Sequence, residues 1–190
     1  MKSRLLSWKS IVLYVAGVVG GALIYLAPVI EKDYSLSLSA PDFSSAHDSG
    51  AQSCMDESVY LVKKFHSDDD KYAALQKGAT VSFLATEEAK KAYGREVTFI
   101  KNIVAVPGDR IKIEGENVFI NGELFSKRSP FMMYQVAQNG FAYLLEDKEY
   151  TLAENEFFAM GTNEEHSFDS RFWGPVKVEN LVGSVFWKGF

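Results

Sequence analysis

The sequence predicts a mostly β domain, a folded sheet or partial barrel, carried behind one N-terminal transmembrane helix. Three observations predict it. Residues 11–30 contain no charged side chain. Beyond them the chain breaks into short apolar or alternating runs, the pattern of many short strands. Between those runs sit turn residues such as Pro107-Gly108-Asp109 and Asn121-Gly122.

Taken in order, Lys2, Arg4 and Lys9 precede the charge-free run, and Glu31 and Asp33 follow it. At about 1.5 Å per residue such a run covers about 30 Å, enough to cross a bilayer core. It is longer than the roughly 7–15-residue apolar core of a cleavable signal peptide. Ala27 is followed by Pro28, Val29 and Ile30, which offers no small-x-small cleavage site. A retained anchor is therefore expected, and Gly17, Gly20 and Gly21 are tolerable within it. The leading basic residues put the N-terminus in the cytoplasm. The chain then divides into residues 1–31, a cytoplasmic N-terminus and anchor, and residues 32–190, one extracytoplasmic domain of ordinary size with room for a core.

Within that domain, residues 34–39 alternate apolar and polar side chains and read as a half-buried strand. Residues 40–50 are a Ser-, Asp- and Gly-rich loop, and Val59-Tyr60-Leu61-Val62 is strand-like. Residues 80–85 read as a strand and residues 87–93 as a short helix capped by Thr86. Residues 110–114 and 117–120 are short strands around Gly115-Glu116. Asn121-Gly122 marks a tight hairpin into Glu123-Leu124-Phe125. Residues 141–145, 150–152 and 157–160 are expected to add three strands, and residues 181–187 close the chain. Residues 126–138 fit neither periodicity.

Composition excludes some partners. The formal charge is −5 and the basic residues are scattered, which argues against a nucleic-acid ligand. His47, His66 and His166 lie far apart without metal-ligand spacing, and no Gly-rich phosphate loop is present. Neither a cofactor nor a metal is expected.

Chemistry concentrates in three segments. The first is Phe99-Ile100-Lys101-Asn102-Ile103-Val104-Ala105-Val106-Pro107-Gly108-Asp109-Arg110. It reads as a strand with Phe99, Lys101 and Ile103 on one face, ended by a turn. A lysine flanked by apolar residues on its own face is expected to be partly desolvated, and desolvation disfavours the ammonium, as a general base near neutral pH requires. The alternative is a packed stem with the head snorkelling to water. The second segment is Gly161-Thr162-Asn163-Glu164-Glu165-His166-Ser167-Phe168-Asp169-Ser170-Arg171-Phe172-Trp173-Gly174. Local chemistry alone favours a solvated loop with a structural Asp–Arg pair. The third is Gln52-Ser53-Cys54-Met55-Asp56-Glu57-Ser58, which leads into the run at Val59.

In this order the three segments resemble the boxes of the type I signal peptidases, membrane-bound serine proteases with a Ser/Lys dyad. The resemblance covers residues 54–62, 99–110 and 161–183, with residues 114–124 also family-like. It implies a mostly β fold with the catalytic domain outside the bacterial inner membrane, in the periplasm. It assigns Lys101 as the general base, Ser167 as the residue orienting it, and Asp169 and Arg171 as supports of the loop. Met55 matches the family Met beside the nucleophile, a position in the substrate-binding region.

The nucleophile box departs from the family's Ser-Met-x-Pro-Thr. Cys54 stands at the serine position, and Glu57-Ser58 replaces Pro-Thr. Three readings stay open: Cys54 is a thiol nucleophile, Ser53 has taken over after a one-residue shift, or the site is inactive. Cys54 is preferred. A thiol, with a reference pKa of about 8.5, asks less of a lysine base than a hydroxyl does. It is also the only cysteine in the chain, so it has no internal disulfide partner. A lone cysteine otherwise serves as a small buried hydrophobe. The backbone N–H of Cys54 would help hold the oxyanion. Gln52 occupies the position from which the family often adds a hydroxyl, and its amide is a candidate substitute. His166 beside Ser167 raises a Cys–His pair as a further alternative.

The last box departs as well. The family usually carries Gly-Asp-Asn-Arg-Asp-Asn-Ser; here Thr162, Glu164 and His166 replace Asp, Arg and Asn. With Cys54 and the small size, the chain looks most like the TraF-type peptidases of conjugative transfer, which mature pilin subunits and in some systems cyclise them. The expected partners are a pre-pilin or secreted precursor, inner-membrane lipid, and other components of a conjugation or type IV secretion apparatus. The precursor would pair as an extended strand with a sheet edge near the site. A general signal peptidase and an inactive membrane-tethered assembly component are the alternatives.

Overall fold

A computed structural model describes residues 31–38, 55 and 59–189. Residues 31–33 are helical and run directly into β1 (Tyr34–Leu38). The charge-free run, Gln52, Ser53 and Cys54 lie outside the described residues, and among those described no helix is long and apolar enough to cross a membrane.

The domain is mostly β, as its alternation predicts. The strands after β1 are β2 (Val59–Lys64), β3 (Thr80–Leu84), β4 (Thr98–Ala105), β5 (Arg110–Glu114), β6 (Asn117–Ile120), β7 (Glu123–Lys127), β8 (Lys148–Thr151), β9 (Glu156–Met160), β10 (Val176–Lys177) and β11 (Leu181–Gly189). They form a seven-stranded sheet in the order β1-β2-β11-β3-β4-β9-β10 and a four-stranded sheet in the order β7-β6-β5-β8. The paired strands run antiparallel. Among the described residues four α-helices lie between the strands: α1 (Asp68–Ala73), α2 (Glu87–Tyr93), α3 (Pro130–Gln138) and α4 (Ser170–Trp173).

Turn chemistry explains how the two sheets join. Pro107 presets φ and Gly108 supplies φ +87°, so residues 106–109 close with Asp109 N–H donating to the Val106 carbonyl at 3.0 Å. The Asp109 carboxylate accepts from Val106 N–H at 2.8 Å, from Asn121 Nδ2 at 2.8 Å and from Lys77 Nζ at 2.9 Å. One carboxylate thus ties the turn to the β6–β7 hairpin and to the chain entering β3. Burial raises the carboxyl's pKa, but these donors outweigh it and hold it below the ordinary value. In the hairpin, Asn121 (φ +53°) and Gly122 (φ +87°) form the two-residue turn expected of Asn-Gly.

Cores form on both faces of β4 and β9. Ile103, Phe157 and Ala159 join the larger cluster, which also takes Val81, Phe83 and the α3 residues Met132 and Val136. Ala105, Phe158 and Met160 face the second sheet with Ile111, Ile113 and Val118. A third cluster gathers Met55, Tyr60, Val62 and Ile100.

Several sequence expectations need correction. Residues 141–145 are not a strand; residues Ala142–Leu145 form a 3-10 helix. The chain reverses sharply at Gly140 (φ +86°), so a short apolar run that could pair as a strand instead folds back and buries Leu144. The strand expected at 150–152 is β8, beginning at Lys148 and paired with β5. Residues 126–138, unassigned from periodicity, are the end of β7 and α3, whose start is a Ser129 cap followed by Pro130 at the first turn. Helix α1, bounded by a Ser67–Asp70 capping box, was not anticipated, and it buries no residue.

Candidate active site

Lys101 lies in the middle of β4, opposite Val81 of β3, and is 1% exposed. It shares its face with Phe99 and Ile103, both in the larger core, as strand alternation requires. Its stem is therefore packed and its head is inside the protein, so the snorkelling alternative does not hold. Nζ donates to Ser167 Oγ at 2.9 Å, a bond between residues 66 apart in sequence, and lies 5.9 Å from the centroid of the Phe99 ring.

Ser167 reaches Lys101 because the loop after β9 is pinned from within. Asp169 caps α4, accepting from Arg171 N–H at 3.2 Å. Its other oxygen accepts from Gly161 N–H at 3.0 Å, which draws the far end of the loop back to the end of β9. Arg171 grips the same carboxylate with two N–H groups, Nε to Oδ1 at 2.8 Å and Nη2 to Oδ2 at 2.7 Å. Ser170 Oγ accepts from Ala159 N–H at 3.1 Å and bolts the helix to β9. Since β9 pairs with β4, with Asn102 opposite Met160 and Ile103 opposite Ala159, this holds the Ser167 hydroxyl beside Lys101.

Ser167, Asp169, Ser170 and Arg171 are each 0% exposed. The solvated-loop reading is overturned for residues 167–174, which are interior, while Glu164 and Glu165 are exposed, and the Asp–Arg pair is the buried kind that fixes geometry. Burial pushes the Asp169 carboxyl up, but Arg171, the nearby Lys101 and a hydrogen bond from Ser167 together hold it below its ordinary range. Ser167 thus accepts from Lys101 and donates to Asp169, a chain of bonds that fixes the hydroxyl's direction.

Met55 is 2% exposed and shares its buried cluster with Ile100, the neighbour of Lys101 in β4. Thr162 Oγ1 lies 4.0 Å from its sulfur, so Met55 meets the loop after β9. The His166 ring sits edge-on to Phe131 of α3 at 4.9 Å. Cys54, Ser53 and Gln52 lie outside the described residues. Among the described residues no group of three or more His, Cys, Asp or Glu could hold a metal ion.

Sequence reasoning found the interior chain of polar residues but missed what surrounds it. Thr162 is noted only as a departure from the family sequence, and Ser170 is given no role. Ser126, Ser129 and Phe131 fell in the unassigned stretch, although Ser129-Pro130 carries a helix-start signature.

Known proteins share sequence with this chain. The chain is 30% identical over 111 residues to a probable signal peptidase I-2 of Synechocystis, a match covering 58% of this chain and 46% of that protein. It is 28% identical over 93 residues to signal peptidase I V of Bacillus subtilis, covering 45% of this chain and 54% of the relative. The chain thus spans about half the length of these curated relatives. A crystal structure of a signal peptidase I from Enterococcus faecalis aligns with 57% of this chain and 94% of that one at 22% identity, with a TM-score of 0.34, an overlay too loose to carry an argument. The model of the family described as signal peptidase, peptidase S26, matches residues 23–189, nearly all of the sequence that holds Lys101, Ser167 and the Asp169–Arg171 pair, and the chain belongs to that family.

Proposed function

We propose that this protein is a membrane-anchored endopeptidase that removes the leader from a secreted precursor, using Cys54 as nucleophile and Lys101 as general base. The observation that carries the reading is the buried Lys101 amine held 2.9 Å from the Ser167 hydroxyl on an interior Asp169–Arg171 support. A solvated surface lysine has no need of such a frame. Support for Cys54 comes from its neighbour: Met55 is buried in one cluster with Ile100, the residue before Lys101.

The chemistry then runs in two halves. Neutral Lys101 takes the Cys54 thiol proton while the sulfur attacks the scissile carbonyl, with the Cys54 N–H and the Gln52 amide receiving the oxyanion. The resulting ammonium gives its proton to the departing amine, leaving a thioester on Cys54. Water then attacks that thioester, Lys101 again accepts the proton, and the leader leaves as a carboxylic acid with the thiol restored. Ser167 orients the amine throughout.

The precursor we favour is a conjugative pilin, because Cys54, Glu164 and His166 all depart from the housekeeping pattern. General secreted precursors are the second reading, supported by the relatives named signal peptidase I. Cyclisation would need a second cut near the pilin's C-terminus: the pilin body is then the acyl group on Cys54, a C-terminal peptide departs as the amine, and attack by the pilin's own N-terminal amine in place of water gives a cyclic product, one water lighter than the hydrolysed pilin and without a free N-terminus.

Co-expression with pre-pilin and signal-peptide precursors, followed by mass spectrometry, tests the reading. Lys101→Ala is expected to lower processing about 10²–10⁴-fold, the span of general-base catalysis. Cys54→Ala is expected to abolish it, while Ser53→Ala and His166→Ala leave it intact. Processing that survives Cys54→Ala removes the thiol assignment. A wild type that processes neither class favours an inactive assembly component.

A further inference from the structure

Residues 126–131, the end of β7, the short connector and the first turn of α3, here called the connector, touch the loop that carries Ser167 at consecutive residues. Ser126 Oγ donates to Glu164 Oε1 at 2.7 Å, and Ser126 is 7% exposed. Ser129 Oγ donates to the Glu165 carbonyl at 2.7 Å while also accepting from Met132 N–H at 3.0 Å as the cap of α3. The Phe131 ring meets the His166 ring edge-on. On the other side of Ser167, Arg171 Nη1 donates to the Lys127 carbonyl at 2.7 Å. The connector is itself immobilised. Arg128 is fully buried within it and donates to the carbonyls of Gly115, Leu144 and Leu145, which fastens it to the second sheet and to the 3-10 helix.

Glu164 and His166 are also two of the positions at which the loop departs from the usual family sequence. Both departures land on the connector. Neither side chain is explained by the Lys101–Ser167–Asp169 chain of bonds, and both are explained by the contact they make.

We infer that the connector is the brace that sets the position of Ser167, with Ser126 and Ser129 as positioning residues acting through Glu164 and the Glu165 carbonyl. This rests on the proposed role of Lys101 and Ser167. A hydroxyl orients an amine only while its own backbone is held, and Ser167 follows directly on the three braced residues. Loosening the brace would spread the Lys101–Ser167 distance without removing any group from the site.

Ser129 allows the brace to be separated from helix stability. Ser129→Asp keeps an acceptor for the α3 cap but has no donor for the Glu165 carbonyl. Ser129→Asn keeps both an acceptor and a donor. Two readouts are made on the full-length protein, with Ser126→Ala measured alongside: amide hydrogen exchange at residues 163–168, and the kcat and KM of precursor cleavage. Ser129→Asp and Ser126→Ala are expected to speed exchange at Ser167 and Phe168 and to lower kcat about tenfold, the size of one net hydrogen bond, with little change in KM. Ser129→Asn is expected to restore both. Exchange that stays at the wild-type rate in Ser129→Asp and Ser126→Ala overturns the brace, whatever the activity. Faster exchange with unchanged kcat overturns the positioning role. A wild type without activity defeats the proposed function alone, since the exchange readout still decides whether the brace exists.

Discussion

Asp169 and Arg171 form a pair with both side chains 0% exposed, and the fate of either alone follows from that burial. Removing one partner leaves a charge stranded where water cannot reach it. Arg171→Ala or Asp169→Asn is therefore expected to cost about 3–5 kcal/mol in urea unfolding. Arg171→Lys should not rescue the pair, because a lysine cannot reproduce the two-N–H grip on Oδ1 and Oδ2. The pair also gives stability a pH dependence. The folded-state carboxyl lies below its ordinary value of 3.8, so the stabilisation is complete above that pH and is lost as pH falls through the folded value. Acid titration of unfolding should show a steep loss below about pH 4 in wild type and a shallower one in Asp169→Asn.

The β6–β7 hairpin depends on a residue other than glycine holding a positive φ. Asn121 does so and also accepts from Arg110 N–H at 2.9 Å and donates to Asp109. Asn121→Ala should cost about 1–2 kcal/mol from backbone strain alone, with the two lost bonds added. Asn121→Gly keeps the conformation, so the difference between the two variants in urea melts isolates the strain. The β2–β11 pairing carries a different constraint. A Cβ at Gly183 would lie 2.6 Å from Val62 Cγ1 and would also meet the Lys63 carbonyl. Backbone cannot step aside cheaply there, so Gly183→Ala is expected to destabilise by more than about 2 kcal/mol and to raise amide exchange in β2.

The whole domain shares its central strands between two cores. Phe157 belongs to the larger cluster and Phe158, the next residue of β9, to the cluster under the second sheet. Neither sheet can lose its core without freeing a face of β9. Unfolding is therefore expected to be one transition, with far-UV circular dichroism and tryptophan fluorescence coinciding. Phe157→Ala and Phe158→Ala should each lower that same transition, by about 3–5 kcal/mol. Two separated transitions, one per variant, would contradict the shared core.

The sequence by itself determined most of the strands, because alternation and turn chemistry act within a few residues. Lys101 on the face of Phe99 and Ile103, the Pro107-Gly108-Asp109 turn and the Asn121-Gly122 hairpin were legible for that reason. It also carried the order of the three chemical segments. It did not carry the 3-10 helix at Ala142–Leu145, since a short apolar run is compatible with either period until Gly140 turns the chain back. Above all it did not carry burial. Glu164, Ser167, Asp169 and Arg171 have the composition of a surface loop, yet the last three are interior. Only the tertiary structure decided this, by pairing β9 with β4 and laying the β7–α3 connector over the loop. Local pattern sets which way a side chain points from its own strand, whereas the partner waiting for it 66 residues away is set by which strands become neighbours.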